Sequence, residues 1–332
     1  MVRVTVTGGA GFLGSRLARA LLAAGSLEVA GGGTRPLSRV TLLDRAPVPG
    51  DLAVDERVTA VRGDLGELLG SGRAGDLLDG ADVIFHLAAA VSGECEADFD
   101  LGLRANLHAT ESLLASCRAL GTSPVVVYSS SVAVFGGSQE HPLPPVVDDQ
   151  TLPNPQTSYG TQKFIGEQLL ADYTRKGFLR GRAIRLMTVT VRPGRPNAAA
   201  SGFLSGIVRE PLAGQRATCP VAPQTEVALA SPAKAIGGLL RAATSADQAW
   251  GGRTAGNLPA LTMTVAGMAA ALERVAGPEV SALIDWVPDP AVARMFATWP
   301  GTVRSERAAR LGLTPDPDFD SVIEMHLAES RT

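Results

Sequence analysis

The chain has 332 residues, 45% of them hydrophobic and 19% charged, with 33 acidic against 30 basic side chains and a net charge of −3. This is a globular composition large enough for a substantial core; it shows no basic footprint for nucleic acid, no apolar run near the ~20 residues a membrane helix needs and no basic-then-apolar leader. Three scattered cysteines (Cys95, Cys117, Cys219) and four distant histidines (His86, His108, His141, His326) offer neither a disulfide framework nor metal-ligand spacing, so a cytoplasmic protein without a metal is expected.

The first stretch, Val2 to Gly14, reads VRVTVTGGAGFLG. Alternating valines end in Thr7 and a run of glycines, and a leucine- and alanine-rich segment follows from Ser15 to Ala24. The pattern predicts strand, tight turn and helix. Gly8 permits a turn that a β-carbon would block, Gly11 lets a pyrophosphate approach the backbone, and Gly14 lets the helix pack against the strand. After a glycine-rich excursion over 25–39, a second strand, Val40 to Leu43, ends in Asp44, placed to hold the hydroxyls of an adenosine ribose. Asp44 lies 30 residues past Gly14, beyond the usual spacing of about 20, and the excursion accounts for the excess. A 2′-phosphate would meet its charge at a cost of ~1 to 4 kcal/mol, so the expected cofactor is NAD rather than NADP.

Further strands are predicted at Val58 to Arg62, Ala81 to Leu87, Val125 to Tyr128 and Arg182 to Val191. Helices are predicted at Leu101 to Leu120 and Thr157 to Lys176. Ala88, Ala89 and Ala90 close the fourth strand with small residues where a cofactor must pass. Strands and helices alternating at this pace specify an α/β fold, a doubly wound parallel (Rossmann) sheet. Past Pro193 the chain is broken by Pro and Gly. Helices are expected at 231–244, at 262–276 behind a Thr262 cap, at 305–311 and at 320–327. The expected division is a cofactor-binding domain over 1–192 and a smaller C-terminal substrate lobe over 193–332.

Tyr159 and Lys163 lie one helical turn apart on one face. A tyrosine near pKa 10 is a poor base at neutral pH, but a nearby ammonium and a cofactor cation favour its phenolate. Ser131 precedes Tyr159 by 28 residues and follows a central strand. The trio suits proton transfer from an alcohol. Tyr159 moves the hydroxyl proton, Ser131 holds the substrate oxygen, and Lys163 tunes the tyrosine and anchors ribose.

These residues resemble the extended short-chain dehydrogenase/reductase superfamily. The likeness spans nearly the whole chain: TGGAGFLG at 7–14, GDL at 63–65, HLAA at 86–89, NLHAT at 106–110, SSSVAVFG at 129–136, YGTQK at 159–163 and SERAARLGL at 305–313. The resemblance implies catalysis by Ser131, Tyr159 and Lys163, and cofactor contacts from Phe12, Leu13, Asp64, Leu65, Leu87, Ala88 and Asn106. It also implies a homodimer through the helices at 104–120 and 157–176. Phe135 and Thr188 stand where the superfamily often has Tyr or Asn, a departure from the sugar-nucleotide epimerase pattern. The segments at 91–107, 188–212 and 219–221 resemble a branch that oxidises the C2 hydroxyl of a four-carbon sugar acid with NAD.

A small anionic sugar acid needs a positive clamp. Arg192, whose fork can bind a carboxylate with two hydrogen bonds, is the first candidate, ahead of Arg195 and Arg209. Ser92 and Asn197 can hold sugar hydroxyls. An NAD-dependent epimerase or dehydratase of nucleotide sugars is the alternative. A dehydratase would commonly carry an acid where Val132 follows Ser131. A non-catalytic NAD sensor has no use for the intact trio.

Overall fold

A computed structural model describes residues 1–194 and 199–330. The elements used below are, in chain order, β1 (Val2–Thr7), α1 (Phe12–Ala24), β2 (Arg35–Asp44), β3 (Val58–Arg62), β4 (Val83–His86), α2 (Ala109–Leu120), β5 (Val125–Ser131), α3 (Ser158–Arg175), β6 (Arg180–Leu186), β7 (Thr188–Val189), α4 (Gly202–Leu212), β8 (Glu226–Ala230), α5 (Pro232–Thr244), β9 (Gly256–Asn257), β10 (Leu261–Thr264) and α6 (Val265–Ala276).

An eight-stranded sheet runs in the order β9-β6-β5-β4-β1-β2, with β3 on β2 and the short strand Ser26–Leu27 closing that edge. Every pairing is parallel except that of Ser26–Leu27 with β2. Alternation along β5 divides the core. Val125 and Val127 pack with Leu17 and Leu21 of α1 and Leu239 of α5 on one face. Val126 and Tyr128 pack with Leu113, Leu114 and Cys117 of α2 and Leu170 of α3 on the other. Successive strand side chains point to opposite faces, and helices cover both, as a parallel sheet requires.

Several expected boundaries move. The second strand begins at Arg35, because part of the glycine-rich excursion folds back as Ser26–Leu27 against Arg35 and Pro36. The sixth strand ends at Leu186; after Met187 the chain changes sheet, and β7 pairs with β8. The expected Thr262 cap is replaced by Thr264, whose hydroxyl accepts from the Gly267 N–H at 3.1 Å, while Thr262 lies in β10, paired antiparallel with β8. The helix expected from Leu101 starts at Phe99 and carries a π-helical turn over Leu103–His108.

Residues beyond 193 serve two masters. α4, α6 and the final helix Phe319–Ser330 share a separate apolar cluster that includes Leu204, Val208, Met268, Leu272, Phe319 and Ile323. Between them the chain returns to the large sheet: α5 covers one face and β9 extends its edge beside β6. Among the described residues no helix is long and apolar enough to cross a membrane.

Candidate active site

The strand ends of the large sheet open into a cleft of about 430 Å³. Its floor is the glycine turn. Gly8 has φ +72°, and a β-carbon there would stand 2.8 Å from the Ala88 nitrogen; one on Gly14 would stand 2.0 Å from the Gly8 oxygen. The turn, the end of β4 and the start of α1 are therefore pressed together in a way only glycine allows. Gly11 precedes α1 without a side-chain cap, and no acid occupies the first turn. The helix's free N–H groups are left for an anionic ligand, and this cradle fits the pyrophosphate of NAD.

Asp44 ends β2 beside the turn. Its carboxylate accepts the Ala10 N–H at 3.0 Å and the Ala46 N–H at 2.9 Å, and it lines the cleft. Phe12, Leu13, Asp64, Leu65, Leu87, Ala88 and Ala89 line it too. Asp64 also caps the short helix Leu65–Leu68, accepting the Gly66 N–H at 2.9 Å. Asn106 is not among the lining residues. It is 1% exposed, accepts the Ala90 N–H at 2.7 Å and donates toward the Ala90 carbonyl at 3.2 Å and Gln162 Oε1 at 2.9 Å. It lies in the π-helical turn and holds the chain at Ala90, which lines the cleft.

Ser131, Tyr159 and Lys163 meet at the cleft. Thr157 caps α3, accepting the Gly160 N–H at 3.1 Å, which fixes the turn carrying Tyr159. Burial pushes the Tyr159 phenol up to about 12, while a hydrogen bond with Ser131 and the charge of Arg192 act to hold it down. Lys163 is 2% exposed. Its ammonium donates to the Ser129 carbonyl at 2.9 Å, lies 5.8 Å from the Tyr159 ring centre, and is pulled down to about 8 chiefly by burial. A lysine held this close to a tyrosine favours the phenolate.

Arg192 lines the same cleft. Its Nε donates to the Val189 carbonyl and its backbone N–H to Ser205 Oγ, both at 3.0 Å. No carboxylate pairs with it among the described residues, and burial lowers its pKa. Arg209 is occupied: Nη1 donates to the Arg192 carbonyl at 2.7 Å and Nη2 to Glu210 at 2.5 Å. Ser92 is buried, and its hydroxyl accepts the Ala200 N–H at 3.0 Å. Arg195 and Asn197 lie outside the described residues.

Two buried groups supporting the site are not apparent from the sequence. Glu167, one turn beyond Lys163, receives Arg185 through Nε at 2.9 Å and Nη2 at 2.7 Å, and Ser130 Oγ at 2.5 Å. His86 bridges Thr7 Oγ1 at 2.7 Å and Thr110 Oγ1 at 2.9 Å; burial brings its pKa down to about 3, so it is a neutral strut. Glu167 carries a local signal only in its i+4 spacing from Lys163.

Residues 4–227 match the model of the NAD dependent epimerase/dehydratase family. The chain is 49% identical over 329 residues to a D-erythronate dehydrogenase of Cupriavidus necator, covering 99% of each chain. It is 36% identical over 328 residues to a D-erythronate dehydrogenase of Haemophilus influenzae, covering 98% of this chain and 99% of that one. A solved structure described as a nucleoside-diphosphate-sugar epimerase from Agrobacterium tumefaciens superposes with TM-score 0.89 at 41% identity, over 98% of this chain and 94% of that one. L-threonine 3-dehydrogenase from Trypanosoma brucei shares the fold, with TM-score 0.84 at 22% identity over 99% of this chain and 97% of that one.

Proposed function

Because the chain belongs to the NAD-dependent epimerase/dehydratase family, we propose that it oxidises the C2 hydroxyl of D-erythronate, or of a close four-carbon sugar acid, to the 2-oxo acid. The observation that carries this reading is Arg192, a half-buried guanidinium without a carboxylate partner among the described residues, lining the cleft with Tyr159. The full-length likeness to two D-erythronate dehydrogenases supplies the identity of the acid.

NAD, when bound, supplies the hydride acceptor. Tyr159 as phenolate takes the proton of the C2 hydroxyl, and Ser131 holds that oxygen. Lys163 keeps the phenolate accessible and has ammonium hydrogens left for ribose hydroxyls. Arg192 has Nε committed to Val189, so its two terminal nitrogens face the carboxylate end-on, in the two-point geometry that fixes orientation. Asp44 selects the unphosphorylated ribose. Residues 1–192, completed by the returning segment 232–257, hold the cofactor, and the remainder of 193–332 encloses the acid.

Phe135 favours this reading over a nucleotide-sugar epimerase. It is fully buried beneath Arg185, 4.7 Å from its ring centre, and offers a sugar no polar group. A homodimer through the helices at 104–120 and 157–176 is part of the proposal, supported by Ile165 of α3, exposed at 38%. Sedimentation at the mass of one chain would refute it. Three free, buried cysteines suit the proposed cytoplasmic location.

The test is NADH formation by absorbance with D-erythronate, L-threonate, D-glycerate and UDP-glucose. Steady release with D-erythronate is expected. Epimerised product from UDP-glucose without release from any acid would replace this reading with the epimerase.

A further inference from the structure

Beyond Ser131 and Tyr159 the cleft continues into a second pocket of about 80 Å³. Arg192, Ser131 and Tyr159 line both spaces, so the point where they meet is where C2 and its carboxylate belong. The far walls come from the C-terminal half and from the chain crossing into it: Thr188, Ser201 and the Trp299 ring, with Ser92 opposite. The Ser92 hydroxyl accepts the Ala200 N–H at 3.0 Å and so pins the start of α4 against the pocket, setting Ser201 on its wall.

Ser201 is 7% exposed and Thr188 8%. Neither hydroxyl makes a hydrogen bond to another described residue, and Trp299 Nε1 is a buried donor without a partner, although buried polar groups nearly always find partners. Two unpaired hydroxyls on residues lining one small space point to a ligand that donates and accepts together. A free anion or cation would call for charge there, and the charge at hand, Arg192, stands at the junction. A volume of about 80 Å³ is close to three waters' worth, enough for two hydroxylated carbons.

We propose that Ser201 and Thr188 read the hydroxyls on the third and fourth carbons of the substrate, so that this pocket selects a four-carbon polyhydroxy acid. The inference rests on the proposed C2 oxidation and adds the residues that set its selectivity.

The experiment compares wild type, Ser201→Ala and Thr188→Val, at saturating NAD, on D-erythronate and on (R)-2-hydroxybutanoate, which keeps the C2 configuration and chain length but lacks both distal hydroxyls. Each variant is expected to lose about 10- to 100-fold in kcat/KM on D-erythronate, with a loss at least about tenfold smaller on 2-hydroxybutanoate. Equal losses on both acids would mean that the hydroxyls hold the carboxylate or only the fold, and would overturn the inference. No loss on either would do the same. Wild-type enzyme that binds NAD and oxidises neither acid would refute the proposed function itself, and the selectivity with it. Should Thr188→Val fail to fold, wild-type inhibition by 3,4-dihydroxybutanoate against butanoate decides: a Ki at least about tenfold lower for the diol is expected, and equal values refute the inference.

Discussion

Glu167→Gln is the most demanding test of the scaffold beneath the site. The carboxylate is 2% exposed and takes two hydrogen bonds from Arg185, itself 6% exposed, and one from Ser130. The guanidinium's other contacts are Asn257 at 3.5 Å and the Phe135 ring, and Arg307 adds a like charge nearby. Glutamine keeps the volume and leaves a buried cation without its counter-charge. Breaking a buried pair from one side costs about 3–5 kcal/mol, a large part of the roughly 5–15 kcal/mol that holds a domain folded. With a urea slope of about 3 kcal/mol/M, the midpoint should fall by about 1 M or more at unchanged slope. The double variant Glu167→Gln/Arg185→Met removes the stranded charge and should recover most of the loss, since an apolar replacement of a buried pair is often neutral. A single-variant loss below about 1 kcal/mol, or a double variant as unstable as the sum of the singles, would refute the reasoning.

Tyr159→Phe should cut turnover by about 10²- to 10⁴-fold while NAD binding, read by titration calorimetry, stays within about twofold; retention of a tenth of the activity would remove tyrosine as the base. The pH profile follows from the two shifts. Tyr159 near 12 is mostly protonated at neutral pH, so kcat/KM should climb as rising pH populates the phenolate, then bend near pH 8 as Lys163 loses its charge and its hold on ribose; a flat rate between pH 6 and 8 contradicts this. Arg192→Met should raise the KM for D-erythronate by about 10- to 100-fold and move the rising limb to higher pH, because a charge that pulls the Tyr159 phenol down is gone; an unchanged KM places the clamp elsewhere. Gly14→Ala puts a β-carbon 2.0 Å from the Gly8 oxygen and should weaken NAD binding and lower Tm, whereas wild-type affinity would show that the turn is free to relax.

What is legible in the sequence is what local physics dictates. The glycine turn announces itself because no other residue tolerates its geometry, and Val58 to Arg62 reads directly as a strand. Tyr159 and Lys163 are found through helical spacing read together with the glycine turn, Asp44 and the strand-end Ser131. Elements made by distant pairing stay hidden. β8 and β10 are short, and Leu261–Thr264 is a strand because Glu226–Ala230 lies beside it, so in the sequence its threonines look like the start of the following helix. Likeness alone assigns Asn106 to the cofactor; the π-helical turn that carries it, and its hydrogen bonds to Ala90, leave no mark in composition or periodicity. Ser201 gives no signal either, since a serine after three alanines gains meaning only when Ser92, more than a hundred positions earlier, fastens its neighbour.

The return of the chain to the large sheet has a consequence for how the protein is made. On the ribosome, β6 is finished at Leu186, yet α5 and β9 follow only by Asn257, about 4 to 14 seconds later at ordinary rates of synthesis. Throughout that interval Val125, Val127, Ile184 and Leu186 lack the cover of Ala235, Ile236 and Leu239, and β6 is an open edge. Nascent chains paused in this window present a sticky sheet to chaperones and to one another. A gene cut after codon 192 would yield aggregate rather than a free-standing cofactor domain, and a fragment meant to fold alone must carry residues 232–257 with it.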